Sequence, residues 1–453
     1  MDACAEQPVL KAAQLAKLAS TSLAGLSSEQ KNNALLAIAD ALEEKAEAIA
    51  AENHKDMEAA RIRVDKGELN ESLYQRLKLD KAKLHGVIAG IRQIASMPEP
   101  IGIATLAREL DADLNLYRLS CPIGVVAIIF ESRPEAMPQI LSLCLKTSNA
   151  VVLKGGTEAE KSNRILFDTM QNAAARAGLP AEAFALIETR ADVKQLLNAE
   201  GFVDLIIPRG SNDLVRFIQN NTRIPVLGHA DGICHIYVDK TADLKKAIAI
   251  ITDAKTQYPS ACNAVETVLL HKDVLCAILP TLCKTLQSYH VELRLDPFCY
   301  SQLEKVATEH GVEMSKVKRA TEDDWSTEYC DLIISIKSID SMQDAIKHIN
   351  KYGSGHTEAM IAEDKNSFQE FFAQVNSAGV YLNASTRFAD GFRYGFGAEV
   401  GISTARMHPR GPVGIEGLVS YKYKLLGNGH IVGDYTGATA KQFTHRDIPT
   451  EQN

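Results

Sequence analysis

The sequence predicts an α/β protein built on parallel sheets, and three observations carry that reading. Short apolar runs such as VVAIIF (125–130) and AVVLKGG (150–156) alternate with helical stretches, the pattern of strands covered on both faces by crossover helices. The alternation begins again near CHIYVD (234–239), which gives a second unit of the same kind. The 453 residues, 46% of them hydrophobic, suffice for two or three domains, each with its own core.

The first hundred residues read as helices. Ser27 followed by Gln30 is a capping-box pattern, and Leu35, Ile38, Leu42, Ala46 and Ile49 then recur at helical spacing, so one apolar stripe packs against something larger. From residue 125 the expected strands are VVAIIF, AVVLKGG, FALIE (184–188), DLIIP (204–208) and PVLG (225–228), with helices near 136–147 and up to Ala177. A parallel sheet of this kind binds nucleotides or cofactors at its strand carboxyl ends. The second unit runs through CHIYVD, ETVLLH (266–271) and DLIISI (331–336) to GVYLN (379–383). The last fifty residues, rich in glycine and aromatics, read as loops and one edge strand in LVSYKYKLL (418–426).

A formal net charge of -8 without clustered Lys and Arg argues against a nucleic-acid surface. MDACAEQPVLK has no basic segment ahead of an apolar one, and no apolar run approaches the roughly 20 residues of a membrane span, so a leader and a membrane anchor are not expected. Nine cysteines, an odd number with no C-x-x-C pair, fit a reducing compartment, read as the cytoplasm, better than a disulfide framework or a metal site.

Four stretches carry candidate chemistry. In AVVLKGGTEAEKSN a strand ends in Lys154, Gly155 and Gly156 just before a helix, where backbone N–H groups and the helix dipole favour an anion. A plain βα turn with a solvated lysine fits the same residues. In YPSACNAVET (258–267) Cys262 lies among Ser260, Ala261 and Asn263 ahead of a strand, a setting that permits an exposed thiolate nucleophile. The alternative is a small core hydrophobe, which is the expectation for Cys144, Cys276 and Cys283. In IFESRPEAMP, Arg133 is held extended by Pro134 and suits an anion contact, or else pairs with Glu131 or Glu135. The loops PRGSN (208–212), YGSGHTE (352–358) and ASTRFADGFRYGFG (384–397) supply Gly210, Ser211, His356 and Arg387 as further candidates, His356 as a general acid.

Taken in order, FESRPEAMP, LKGGTEA, IPRGSN with IPVLGHADGICHIY, YPSACNAVET, YGSGHTEA, NASTRFADGFRYGFGAEVGIST and RGPVGIEGL resemble the aldehyde dehydrogenase superfamily over nearly the whole chain. The resemblance implies an aldehyde dehydrogenase-like fold: two parallel-sheet α/β domains plus a small β oligomerisation element. Residues 1–104 and 122–232 would form the cofactor-binding domain and 233–398 the catalytic domain. The hairpin at 105–121 and the strand within 413–453 would build a homo-oligomer.

Carried onto this chain, the resemblance puts the nucleophile at Cys262. Lys154 and Glu158, with Gly155 and Gly156, fall on the loop near the adenosine ribose. Gly210 and Ser211 fall on the turn beneath the cofactor, and Glu328 on the acid that holds the nicotinamide ribose. Two departures narrow the chemistry. Ser132, followed by Arg133, stands where hydrolytic members carry an oxyanion-hole asparagine. Val226 stands where they carry the glutamate that activates water. The resemblance therefore implies NADPH-dependent reduction of an acyl phosphate, L-glutamyl 5-phosphate, to glutamate 5-semialdehyde through a Cys262 thioester, the second step of proline biosynthesis. Ser132 and the backbone near Cys262 and Asn263 would stabilise the oxyanion, while Arg133, with Arg387 or His356 behind it, would neutralise the departing phosphate. No glutamate 5-kinase lies in this chain, so a separate kinase would supply the substrate. The alternative is an oxidising dehydrogenase acting on an amino-acid-derived semialdehyde.

Overall fold

The computed structural model describes residues 8–69, 71–188, 190–228 and 231–450. Residues 1–7 of the stretch read for a leader, and His229 and Ala230 of VLGHADG, lie outside them. The chain divides into two compact units, one of Met1–Leu227, Phe396–Gly401 and Val413–Asn453, the other of Gly228–Gly395 and Ile402–Pro412.

In the first unit the order Phe184–Ile187, Ala150–Lys154, Val125–Phe130, Leu205–Arg209 makes a four-stranded parallel sheet. Every position of Val125–Phe130 and Ala150–Lys154 is buried, as continuous β-branched runs between two helical layers require. Helices Pro8–Leu23, Ser28–Glu44, Ala46–Asp65, Glu71–Leu77 and Lys81–Ser96 supply the expected helical cover. The predicted capping box forms: Gln30 N–H donates to Ser27 Oγ at 3.2 Å and Ser27 N–H to Gln30 Oε1 at 2.9 Å. The stripe residues Leu35, Ile38, Leu42 and Ile49 join Val126, Ile128 and Leu153 in one core. PVLG is reduced to a single bridge between Val226 and Ile206, because Pro225 has no N–H with which to extend a ladder.

A second, antiparallel sheet in this unit has the order Val419–Leu426, Leu114–Pro122, Ala104–Asp111, Arg446–Asp447. The hairpin and the late strand thus pair within one chain, Tyr421 opposite Ser120 and Leu425 opposite Leu116.

The second unit is a seven-stranded parallel sheet: Val317–Arg319, Glu292–Leu295, Ile333–Ile339, Val265–His271, Cys234–Val238, Thr357–Ile361, Gly379–Leu382. Cys144 and Cys283 are buried as expected, but Cys276 is exposed on the outer face of helix Lys272–Ser288. Among the described residues no helix is long and apolar enough to cross a membrane.

Candidate active site

Cys262 sits in the loop between helix Leu244–Thr256 and the fully buried strand Val265–His271, and is neither buried nor fully exposed. A turn frames it, with Ala261 N–H on Tyr258 O and Ala264 N–H on Ala261 O at 2.8 Å. Behind it lies Gly232, where an added Cβ would stand 2.4 Å from Cys262 O and 2.6 Å from its Cα. The Cys234 thiol, at the start of the next strand, donates to Cys262 O at 3.4 Å, and burial pushes it well above the usual range, so it stays protonated.

Three hydrogen bonds lace this loop to residues 386–389. Asn263 Nδ2 donates to Ala389 O at 2.8 Å, Thr386 Oγ1 to Asn263 O at 2.7 Å, and Arg387 Nε to Gln257 Oε1 at 2.9 Å. Asn263 Nδ2 is therefore engaged in joining two loops, and not held toward an oxyanion. Arg387 is 8% exposed, stands over the Tyr258 ring, and has its carbonyl held by Arg393 Nη1 at 2.7 Å. Burial and Arg393 lower its pKa, while Cys262 raises it.

Beneath the loop, Lys255 and Glu266 form a buried ion pair at 2.6 Å with side chains 0% and 1% exposed. It ties the helix entering the loop to the strand leaving it. Burial pushes the Glu266 carboxyl up to about 8, Lys255 opposes this, and the half-buried Glu328 adds to it. Glu328 is thereby placed near the base of the Cys262 loop. His356 is fully buried, its Nδ1 2.9 Å from Thr357 Oγ1, which takes it away from the exposed position a general acid needs.

In the first unit the strand carboxyl ends gather the remaining candidates. Glu158 Oε1 accepts from Ser132 N–H at 2.6 Å and Ser132 Oγ–H at 2.8 Å. Ser132 is 2% exposed and lies at φ 47°, a left-handed conformation rare for serine. Its hydroxyl is thus donated to Glu158. Lys154, 5% exposed, turns its Nζ to Gly155 O at 2.5 Å. Gly155 and Gly156 let side-chain ends come close to the backbone: an added Cβ would stand 2.1 Å from Asn163 Nδ2 and 1.9 Å from Glu158 Oε1 respectively, so either side chain would have to shift. Glu131 Oε2 accepts Ser211 N–H at 2.9 Å, while Ser211 Oγ caps helix Asn212–Asn220. Of the turn partners considered for Arg133, Glu131 thus holds Ser211 and Glu135 faces Lys83 at 3.7 Å.

Sequence reasoning missed Gly232, Lys255, Gln257, Glu266 and Thr386. Gly232 carried a signal, a glycine just ahead of a fully buried strand, which marks close backbone approach. Gln257 and Thr386 have partners more than a hundred residues away, at Arg387 and Asn263, and Lys255 and Glu266, 11 residues apart, meet only across the turn that carries Cys262.

Residues 1–309 match the aldehyde dehydrogenase family. The γ-glutamyl phosphate reductase of Synechococcus sp. (strain JA-3-3Ab) is 52% identical over 98% of this chain and 96% of its own. That of Methanosarcina barkeri is 51% identical over 96% of both. The crystal structure of γ-glutamyl phosphate reductase from Thermotoga maritima superposes with a TM-score of 0.87 at 37% identity, covering 93% of this chain and 99% of that one. A fold, a cysteine loop and an extent of likeness such as these leave one conclusion: the chain belongs to the aldehyde dehydrogenase family and, within it, to the γ-glutamyl phosphate reductases.

Proposed function

We infer that the protein reduces L-glutamyl 5-phosphate to L-glutamate 5-semialdehyde and phosphate in proline biosynthesis, through a thioester on Cys262 and with NADPH as reductant. The observation that carries the reading is the half-exposed Cys262, held in a turn against Gly232 and laced to residues 386–389. The Cys262 thiolate attacks the acyl carbon, the carbon–oxygen bond to phosphate breaks, and a thioester remains. Phosphate leaves as an anion, for which Arg133 and Arg387 are the guanidinium candidates. Once the thioester is reduced, its carbonyl re-forms and expels the sulfur as thiolate, so the cycle asks for no net proton transfer at Cys262.

A nicotinamide cofactor supplies the hydride when bound. The residues present suit it: Ser211 caps a helix N-terminus next to Gly210, and Lys154 and Glu158, which here meet Gly155 O and Ser132, would turn to a ribose and its 2′-phosphate at the same strand ends. Glu328 is the remaining candidate, for the second ribose.

The substrate comes from a separate glutamate 5-kinase, since acyl phosphates are short-lived. All cysteines among the described residues are free thiols, which supports a cytoplasmic site of action. Tyr421, Tyr423 and Leu425, exposed on strand Val419–Leu426, support a homo-oligomer built on this sheet. An oxidising dehydrogenase is the weaker reading, because Val226 supplies no base for thioester hydrolysis.

The test runs the reaction backwards with glutamate semialdehyde, NADP⁺ and phosphate, following NADPH absorbance. The rate is expected to depend on phosphate and to vanish in Cys262→Ala. Phosphate-independent formation of glutamate would establish the oxidising reading, and an active Cys262→Ala protein would remove the thioester.

A further inference from the structure

A cycle that begins and ends with a thiolate needs a cation beside the sulfur more than it needs a base. The ionisable groups that bear on Cys234 and Arg387, the residues coupled to Cys262, include two kinds. On the strand side, Cys234 is buried and protonated, Glu358 is buried against His235 at 3.1 Å, and Glu266 is paired with Lys255. None of these favours a thiolate. On the opposite side, the 384–394 segment brings Arg387 and Arg393, with Asp390 on the same segment and Asp253 on helix Leu244–Thr256. Arg387 is a cation whose charge interacts favourably with Cys262.

Its placement is built, and by a residue of the cysteine loop itself. Gln257 closes the C-terminus of helix Leu244–Thr256, its N–H on Asp253 O at 3.1 Å, so its backbone is fixed five residues ahead of Cys262. Its side-chain oxygen then takes the Arg387 Nε–H at 2.9 Å. Thr386 and Ala389, on either side of Arg387, are tied to Asn263, the residue after the nucleophile. The guanidinium is thus held at Nε by Gln257, and the segment that carries it is held on both sides of Arg387 by Asn263.

We propose that Gln257 is a positioning residue that fixes Arg387 beside Cys262, and that this pair of side chains, in place of a general base, keeps the nucleophile ionised. The inference rests on Cys262 being the reactive thiol. Gln257 is exposed, so its replacement leaves the core untouched.

Alkylation by iodoacetamide as a function of pH reads the thiol directly, with no substrate or cofactor present. Modification is followed on the peptide carrying Cys262, because Cys276 and Cys330 are also exposed. In the wild type, Cys262 is expected to titrate below the ordinary thiol value of about 8.5. Gln257→Leu moves the midpoint upward and slows alkylation at pH 7 by about 3- to 10-fold, since one pKa unit is tenfold. Gln257→Glu, which keeps an acceptor for Arg387 but pairs its guanidinium with a carboxylate, also moves the midpoint upward, and Arg387→Met shifts it further than Gln257→Leu. Superimposable profiles for wild type and Gln257→Leu, at equal melting temperature, overturn the proposal while leaving Cys262 as nucleophile. An unreactive Cys262 in active enzyme instead overturns the reading of the site on which it rests.

Discussion

Ser132 gives both its N–H and its Oγ–H to a single oxygen of Glu158, at 2.6 and 2.8 Å. Two loops from neighbouring strands are thereby fastened together where the cofactor is expected, and the left-handed Ser132 is held in place. Glu158→Ala leaves both donors without this acceptor and is expected to cost about 1–3 kcal/mol of stability, whereas Glu158→Gln retains a carbonyl oxygen and costs less. Urea unfolding of the two variants distinguishes them. Equal midpoints for Ala, Gln and wild type would show that the fastening contributes nothing.

The close approach of Gly232 to Cys262 makes a second prediction. A methyl group at position 232 falls 2.4 Å from Cys262 O, against backbone that has no flexible side chain to yield. Gly232→Ala should therefore move the nucleophile. A displacement on the order of 1 Å corresponds to about a 10²-fold loss of kcat/KM, with overpacking costing about 1–3 kcal/mol. Steady-state kinetics with activity within twofold of wild type would contradict the geometry.

His348 makes the pH dependence specific. It is 6% exposed, packed against Trp325, Tyr352 and His235, and Lys337 Nζ lies 3.3 Å from its Nδ1. Burial first, then His235, Lys337 and Lys351, hold its pKa down to about 2, against 6.5 for the free side chain. Below pH 6.5 the unfolded chain takes up a proton that the folded chain refuses. Stability is thus present at neutral pH and falls with pH by about 1.4 kcal/mol per unit through that window. Between pH 7 and 5.5 the wild type should lose roughly 1 kcal/mol more than His348→Gln. Parallel losses in the two proteins would mean that His348 is not the group responsible.

Where the sequence carried its own periodicity, the fold was legible. Val125–Phe130 is apolar throughout, Ala150–Lys154 is apolar up to its last residue and Val265–His271 carries the apolar run 268–270, and every position of the three is buried, as in a strand covered on both faces. Glu292–Leu295 and Val317–Arg319 escaped notice because charged residues interrupt them: they lie at and next to the sheet edge, where one flank tolerates Arg294 or Lys318. Thr357–Ile361 was hidden for a different reason. Its first two residues read as the end of a glycine loop, yet Glu358 is fully buried because His235 N–H and Nδ1 meet its carboxylate. Cys262 was visible from its small neighbours. Lys255 and Glu266 were not, since a lysine late in a helix and a glutamate early in a strand look solvated until the fold brings them within 2.6 Å.

The first unit takes its sheets from two distant parts of the chain. Asn149 Nδ2 donates to Leu418 O across 269 residues, and Val419–Leu426 pairs with Leu114–Pro122 from Pro122 back to Asn115. Nearly all of the second unit, Gly228–Gly395, is synthesised in the interval. During translation that inner segment can complete its seven strands while Leu114–Pro122 still has one edge without a partner. Unpaired edges are what aggregation and chaperones act on. A nascent chain that stops short of residue 419 therefore presents the Leu114–Pro122 edge to solvent, whereas the finished chain presents Val419–Leu426 in its place, so the surface offered to a partner copy exists only once the last strand has arrived.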